Sequence, residues 1–430
     1  MRLLHTKERR FQEFFDVDIP KYAILSHRWG PDEVSYQDFS TGAKKNGAGY
    51  KKVLECCAFA ANDIQMYNAL GDRQYLMTMR GNYWPGDLDW VWVEGGLEWI
   101  WVDTCCIDKT SSAELSEAIN SMYQWYARSE VCYAYLSDVA RGLGVKIERS
   151  QWFTRGWTLQ ELLAPRDVVF LDKDWQGLGH RNDAQTRIAR ITGIPQLYLD
   201  GLQHSLRGEV SAAEKFSWAA QRNTSRKEDQ AYCLLGLFDV SMPLLYGEGD
   251  RALRRLQRKI IKSSSDESIF LWDLQWPSNA YHGLLAESIA NFGFPSHPQD
   301  RRFNKKEFSK VRGLARPPYL VTNQGLQFHV PKELARKQEI LLPLNCQHFS
   351  GDVLKGAYAI RLEKINEEGK WARIFSQDWS DWLPQLNGTV HRLSRSSDLF
   401  IVPAKWIWSR EDLSKRGSEV IYVMVDRYES

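Results

Sequence analysis

The sequence predicts an α/β protein made of a small parallel-sheet domain, a helical extension and a β-rich C-terminal module. Three observations carry that expectation. Over residues 1–175, short and almost wholly apolar segments alternate with helical patterns, the signature of parallel strands covered on both faces. Over 176–265 the apolar spacing is helical throughout. Over 266–430, strand-like segments stand between Gly, Pro and Asn turns. A chain of 430 residues suits two or three domains. It is long enough to bury a core without disulfide staples.

The elements follow in order. Tyr22 to Ser26 reads as a short buried strand ending in the polar turn His27-Arg28-Trp29-Gly30-Pro31. Gly49 to about Tyr67 reads as a helix, with apolar residues at Val53, Cys56, Cys57, Ala60 and Ile64. Residues 68–98 look like an insertion rich in Gly, Asn and Asp. Trp99 to Asp103 is a second strand. Ser111 with Glu114 three residues later forms a capping-box pattern, and the helix it opens carries Leu115, Ile119, Met122 and Tyr126 on one stripe. Val131 to Leu136 is a third strand, Thr154 to Ala164 a helix stopped at Pro165, and Asp167 to Leu171 a fourth strand. Helical patterns then cover 182–192, 211–222, 227–238 and 249–262, up to a boundary at Ser263 to Asp266. Beyond it, 325–330, 357–362 and 420–425 read as strands.

Composition narrows the function. With 56 basic and 54 acidic residues the net charge is +2, without the broad cationic excess of a nucleic-acid binder, although a local basic patch is compatible with it. The seven cysteines include two adjacent pairs and no C-x-x-C, a layout that suits neither a disulfide framework nor a zinc site. There is no apolar signal core in the first ten residues and no apolar run of membrane-spanning length, so a cytoplasmic setting without a membrane span is expected.

Phosphate-loop readings are weak. No G-x-x-x-x-G-K-[ST] is present, and Gly247 to Ala252 fits G-x-G-x-x-A without a clear strand before it. Cys105 and Cys106 follow a strand end, where packed reduced thiols are expected in place of a nucleophile. Asp103 and Asp108 could bind a metal; equally, Asp103 could cap a turn and Asp108 could pair with Lys109 or Arg128, and no third carboxylate completes a metal set. Three segments are more informative: YAILSHRWG (22–30), WVDTCCIDK (101–109) and SQWFTRGWTLQELLAP (150–165). In open parallel sheets ligands bind beyond the carboxyl ends of the strands, which places His27, Arg28 and Trp29 on the same rim as Asp103 and the loop after Leu136. Trp157 and Glu161 stand four apart and share a helix face. Glu161 therefore reads either as a functional carboxylate beside an indole or as the ion-pair partner of Arg155 or Arg166.

Together these segments, with ELSEAINSMYQWY, YAYLSD and, downstream, KFSWAAQRNTSRKEDQAYCLLGLFDVSMPLLYGEG and DESIFLW, resemble the HET domain of fungal heterokaryon-incompatibility proteins. The resemblance spans roughly residues 1–275. HET domains are in turn similar to TIR domains: ILSHRW stands at the first strand and its loop, and SQWFTRGWTLQEL resembles the helix that holds the catalytic glutamate of NAD-cleaving TIR domains. On that resemblance Glu161 matches the glutamate, with Trp152 and Trp157 both available as the accompanying tryptophan.

The resemblance implies a cell-death effector of vegetative incompatibility acting as an NAD⁺ glycohydrolase, with Glu161 catalytic and Ser26, His27, Arg28, Trp29, Asp103 and Trp157 binding substrate. No cofactor and no metal are then required, NAD⁺ being the substrate. It also implies self-association and an upstream receptor of the NLR type. A non-enzymatic, self-associating signalling module is the alternative, and a metal-dependent nuclease or phosphodiesterase using Asp103 and Asp108 is a third.

Overall fold

The computed structural model describes residues 1–61, 64–67, 73–76, 91–93, 96–140, 147–201, 210–273, 278–293, 319–331, 338–350, 353–365, 370–375, 391–392, 399–402 and 418–424. The chain divides into two compact units. The first comprises Met1–Gln203, Cys233–Gly236 and Ser241–Leu244, and the second His204–Tyr232, Leu237–Val240 and Leu245–Ser430.

The first unit opens with β1 (Arg2–His5), β2 (Phe11–Glu13) and β3 (Tyr22–His27). Two helices follow, α1 (Tyr36–Thr41) and α2 (Ala48–Ala61). Strands β4 (Ile64–Tyr67), β5 (Arg73–Leu76) and β6 (Val91–Val93) form a small antiparallel sheet of their own. Then come β7 (Trp99–Val102), α3 (Ser112–Arg128), β8 (Val131–Tyr135), α4 (Thr158–Leu163), β9 (Val168–Leu171), β10 (Gly177–His180) and α5 (Gln185–Thr192).

The main sheet has the order β10-β9-β8-β3-β7-β1-β2. Its four central strands β9, β8, β3 and β7 are mutually parallel, as the sequence predicts for the segments starting near Tyr22, Trp99, Val131 and Asp167. These strands are buried almost throughout, which explains their lack of polar alternation. The antiparallel edges made by β1, β2 and β10 were not expected. Arg2 and His5 at the two ends of β1, Gln12 and Glu13 in β2, and Gly177 and Gly179 in β10 leave little apolar signal there.

Topology fixes which face each helix covers. From β3 the chain crosses to β7 on one side, then from β7 back over β3 to β8 on the other. Right-handed crossovers in opposite directions put α2 on one face and α3 on the other. The next crossover, through α4, continues in the same direction as the second and so joins α3. The two crossovers diverge between β3 and β8, the switch point at which open parallel sheets leave a crevice at the carboxyl ends of their strands.

Several boundaries differ from the sequence expectation. The helix predicted from Gly49 to Tyr67 ends at Ala61, and Ile64–Tyr67 is a strand. The predicted Thr154–Ala164 helix is confined to Thr158–Leu163, because the Thr158 hydroxyl turns back onto the carbonyls of Trp152 and Arg155 and separates it from a 3-10 turn at Gln151–Thr154. The predicted 227–238 helix is only Asp229–Tyr232; the following Cys233, Leu234 and Leu235 are buried, and Gly236 packs against Tyr123 of α3. A Cβ at position 236 would stand 2.0 Å from the Tyr123 Cβ, so the approach needs glycine. Most of the predicted insertion at 68–98 lies outside the described residues.

In the second unit the β-rich character expected of the C-terminal region is present. A nine-stranded sheet contains Ser278–His282, Leu320–Thr322, Gly325–Pro331, Glu339–Ser350, Val353–Lys364, Lys370–Phe375, His391–Arg392, Leu399–Val402 and Ser418–Val423. Its pairings are antiparallel apart from that of Lys370–Phe375 with Ser418–Val423. Helices Ala212–Ala219 and Arg251–Ser263 belong to the same unit. Phe216 stacks on Phe292 at 4.5 Å, and Gln257 exchanges two 2.9 Å hydrogen bonds with the backbone of Ala286, so these helices share the unit's buried interior.

Candidate functional site

Ser26 and His27 are the last residues of β3, paired with Ala134 and Tyr135 at the end of β8. They therefore flank the switch point. Successive strand residues point to opposite faces, so each reaches a different layer. On the α3/α4 face, the Ser26 hydroxyl donates to Oε2 of Glu161 at 2.5 Å and accepts from the indole N–H of Trp152 at 2.8 Å. All three side chains are buried, Glu161 being 6% exposed. Tyr126 of α3 lies on this face and donates to the Leu25 carbonyl at 3.3 Å. Burial, and after it the negative charges of Glu161 and Asp103, push its phenol well above the ordinary range.

On the other face the His27 ring is fully enclosed between two carboxylates. Its Nε2 is 3.5 Å from Oε2 of Glu33 and its Nδ1 is 3.9 Å from Oδ1 of Asp103. Glu33 also accepts from the Gly30 amide at 2.7 Å and pairs with Lys52 of α2 at 2.6 Å. Burial alone would raise the Glu33 carboxyl, but His27 and Lys52 outweigh it and hold it down, to about 2. Asp103, the first residue after β7, accepts from the Trp29 indole N–H at 2.8 Å. The Lys109 ammonium stands 4.2 Å over the Trp29 ring and donates to the Thr104 carbonyl. Burial lowers the Lys109 pKa, with Asp103 opposing the shift. Trp29 is half exposed, so this cation–π pair presents an aromatic face to solvent.

The sequence-predicted residues are thus brought together unequally. Around the end of β3, Ser26 and Glu161 are bonded to each other on one face, while Trp29 and Asp103 are bonded beside the His27 ring on the other. Arg28 is exposed beside them and has no ion pair among the described residues. Trp157 is half-buried at the N-terminus of α4. Between the two tryptophans the sequence offers, Trp152 is the one linked to Glu161 through Ser26. Sequence reasoning missed Glu33, Lys109 and Tyr126, whose charges and hydroxyl face the site. Lys109 and Tyr126 end quoted segments and Glu33 lies three residues beyond another, so the signal was the segment and not the residue.

The position of α4 has its own determinant. The fully buried Arg181 guanidinium donates to the carbonyls of Leu162, Pro165 and Arg166 at 2.6, 3.0 and 2.7 Å, closing the carboxyl end of the helix that carries Glu161. Burial lowers its pKa to about 10 against the pull of Asp167.

Other candidates resolve into structural roles. Cys105 and Cys106 are buried, and the Cys106 neighbour together with burial drives the Cys105 thiol far from the reactive range. Asp108 accepts from Gln37 and from the backbone and hydroxyl of Thr110, as a turn-capping residue does. Among the described residues no group of three His, Cys, Asp or Glu side chains could hold a metal ion. At Gly247 and Gly249, both amides donate to the Glu228 carboxylate, which occupies the donors that a phosphate would need. No helix of the described residues is long and apolar enough to cross a membrane.

Comparison with known proteins follows the same segments. Residues 91–146, which hold β7, Asp103, α3 and β8, match the family model described as heterokaryon incompatibility protein (HET). The chain is also 41% identical over 256 residues to the vegetative incompatibility protein HET-E-1 of Podospora anserina. The chain carries a HET domain. The HET-E-1 match covers 57% of this chain and 16% of that relative, so the chain spans a small part of its length. Asp103 falls inside the stretch that matches the HET model, whereas Ser26 and Glu161, which the fold brings to the same strand ends, fall outside it. No solved structure matches the chain.

Proposed function

We propose that this HET domain acts in vegetative incompatibility as a cell-death effector, and that it does so by TIR-like NAD⁺ glycohydrolysis at Glu161. The observation that carries the reading is the Trp152–Ser26–Glu161 chain at the switch point between β3 and β8. A carboxylate held at that place suits cleavage of a nicotinamide–ribose bond. The pyridinium already leaves as a neutral base, so the demand is to stabilise an oxocarbenium-like ribosyl centre. Glu161 would supply that negative charge, with Ser26 fixing its orientation. Trp29, backed by Lys109, would stack on a substrate ring, and the exposed Arg28 would hold a phosphate through paired hydrogen bonds. His27 and Asp103 would position Trp29 from beneath, and Trp157 would border the same helix end.

The test is nicotinamide release from NAD⁺ by the purified protein, with and without a metal chelator. Release that persists with chelator supports the reading. Nucleic-acid cleavage that the chelator abolishes would move the function to the nuclease or phosphodiesterase reading.

A second reading is favoured by one observation: Glu161 and Ser26 are both buried, as suits a structural hydrogen bond. On that reading the domain is a non-enzymatic module that self-associates or docks on an upstream receptor, in the cytoplasm. A well-folded protein that forms oligomers and leaves NAD⁺ intact would support it.

A further inference from the structure

The helix Arg251–Ser263 is divided cleanly along its length. At 3.6 residues per turn, Arg251, Arg254, Arg255, Arg258, Lys259 and Lys262 fall on an arc of roughly 140°. The opposite arc holds Ala252, Leu253, Leu256, Gln257, Ile260 and Ile261, all buried in the second unit. The helix contains no Asp or Glu. Arg255 pairs with Glu248; Arg251, Arg258, Lys259 and Lys262 are exposed and Arg254 is half-buried. In a chain whose charges otherwise nearly cancel, this is a concentrated cationic strip about 16 Å long.

A second feature adjoins it. The Tyr319 phenol donates to the carbonyls of Ser264 at 2.6 Å and Ile261 at 3.2 Å, tying the start of the strand Leu320–Thr322 to the carboxyl end of the helix. The next two residues, Leu320 and Val321, are 55% and 49% exposed. Apolar side chains are thus held out to solvent next to the cations.

We propose that this strip docks on an anionic lipid bilayer as a peripheral contact, the cations meeting the headgroups and the exposed Leu320 adding apolar contact. Charge complementarity fixes a polyanionic partner. The composition of the face favours a bilayer over nucleic acid: it carries no aromatic ring to stack on bases, and the helix's one side-chain amide, Gln257, lies on the opposite arc, buried and bonded to Ala286. A planar array of anionic headgroups asks only for several cations near its surface, each contributing independently, with apolar contact as a second signal. The inference stands apart from the chemistry at Glu161.

The test is co-sedimentation of the full chain with vesicles of pure phosphatidylcholine and with vesicles containing phosphatidylserine. The protein should bind the phosphatidylserine vesicles at least tenfold more tightly, and the preference should fade as salt is raised. The triple variant Arg251→Glu, Arg254→Glu, Lys262→Glu should lose roughly 100-fold in affinity or more. Leu320→Asp should weaken binding more modestly. Arg254→Gln with Lys262→Gln provides a milder pair should the triple variant fold poorly. Equal binding to neutral vesicles, or charge variants that bind as the parent does, would overturn the proposal. Tighter binding to a labelled nucleic-acid duplex, lost in the same variants, would also overturn it and assign the strip to nucleic acid.

Discussion

The hydroxyl of Ser26 donates to the carboxylate of Glu161 across 135 residues of sequence, joining the end of the first parallel strand to the short helix before the last. The bond exists because β3 and β8 are neighbours and α4 returns over them, so the relationship is a product of topology. Ser26→Ala removes that donor and, at once, the acceptor of the Trp152 indole. Loss of partners for buried polar groups costs about 1–3 kcal/mol each. Urea unfolding of the variant should show a loss of roughly 2–4 kcal/mol with an unchanged dependence on denaturant. A variant as stable as the parent would mean that water or another side chain replaces the hydroxyl without cost.

Arg181 should matter through α4. Arg181→Met keeps the apolar stem and removes the donors to three helix-end carbonyls, so a stability loss of roughly 3 kcal/mol or more is expected. Arg181→Lys should recover only part of it, since an ammonium lacks the planar fork that reaches all three. Full recovery by lysine in thermal melts would contradict the capping role.

Gly236 is held against Tyr123 so closely that alanine has no room. Gly236→Ala should cost about 1–3 kcal/mol from overpacking, read as a lowered melting temperature. A neutral effect would show that α3 can shift outward freely.

Glu214 gives a pH dependence. Burial pushes its carboxyl from 4.5 up to about 8, so the folded protein holds this proton more tightly than the unfolded chain. Its contribution is therefore complete below about pH 4.5 and is lost progressively as the pH rises through 8, by on the order of 3–5 kcal/mol. Glu214→Gln should flatten that part of the stability–pH curve and be the more stable protein at pH 8.5. Parallel curves for the two proteins would show that Glu214 is ionised in the fold.

The parallel core was legible because both faces of its strands are buried, which writes continuous apolar runs such as YAIL, WIWV and VVFL into the sequence. The edges were not, because β1, β2 and β10 are short and carry polar or glycine residues. Ile64–Tyr67 reads equally as the end of a helix or as a strand, since four residues hold barely one helical turn of periodicity. At the site, the strand-end rule pointed to His27, Arg28, Trp29 and Asp103 as residues of one rim. What it could not supply was the alternation that sends Ser26 to Glu161 and His27 to Glu33, or the choice of Trp152 over Trp157. Those depend on side-chain direction and on the 3-10 turn at Gln151–Thr154, which apolar spacing does not encode.

The central question is whether Glu161 performs chemistry or only holds the fold, and Glu161→Gln answers it most directly. Glutamine keeps the size of the side chain and an oxygen to accept from Ser26, and removes only the charge. Nicotinamide release from NAD⁺ and the thermal melt are measured on the same preparation. A catalytic carboxylate predicts release reduced by at least about 100-fold, with the melting temperature unchanged within a few degrees. Undiminished release with a normal melt would contradict it and remove Glu161 from the chemistry, while a large drop in melting temperature would make the residue a structural one.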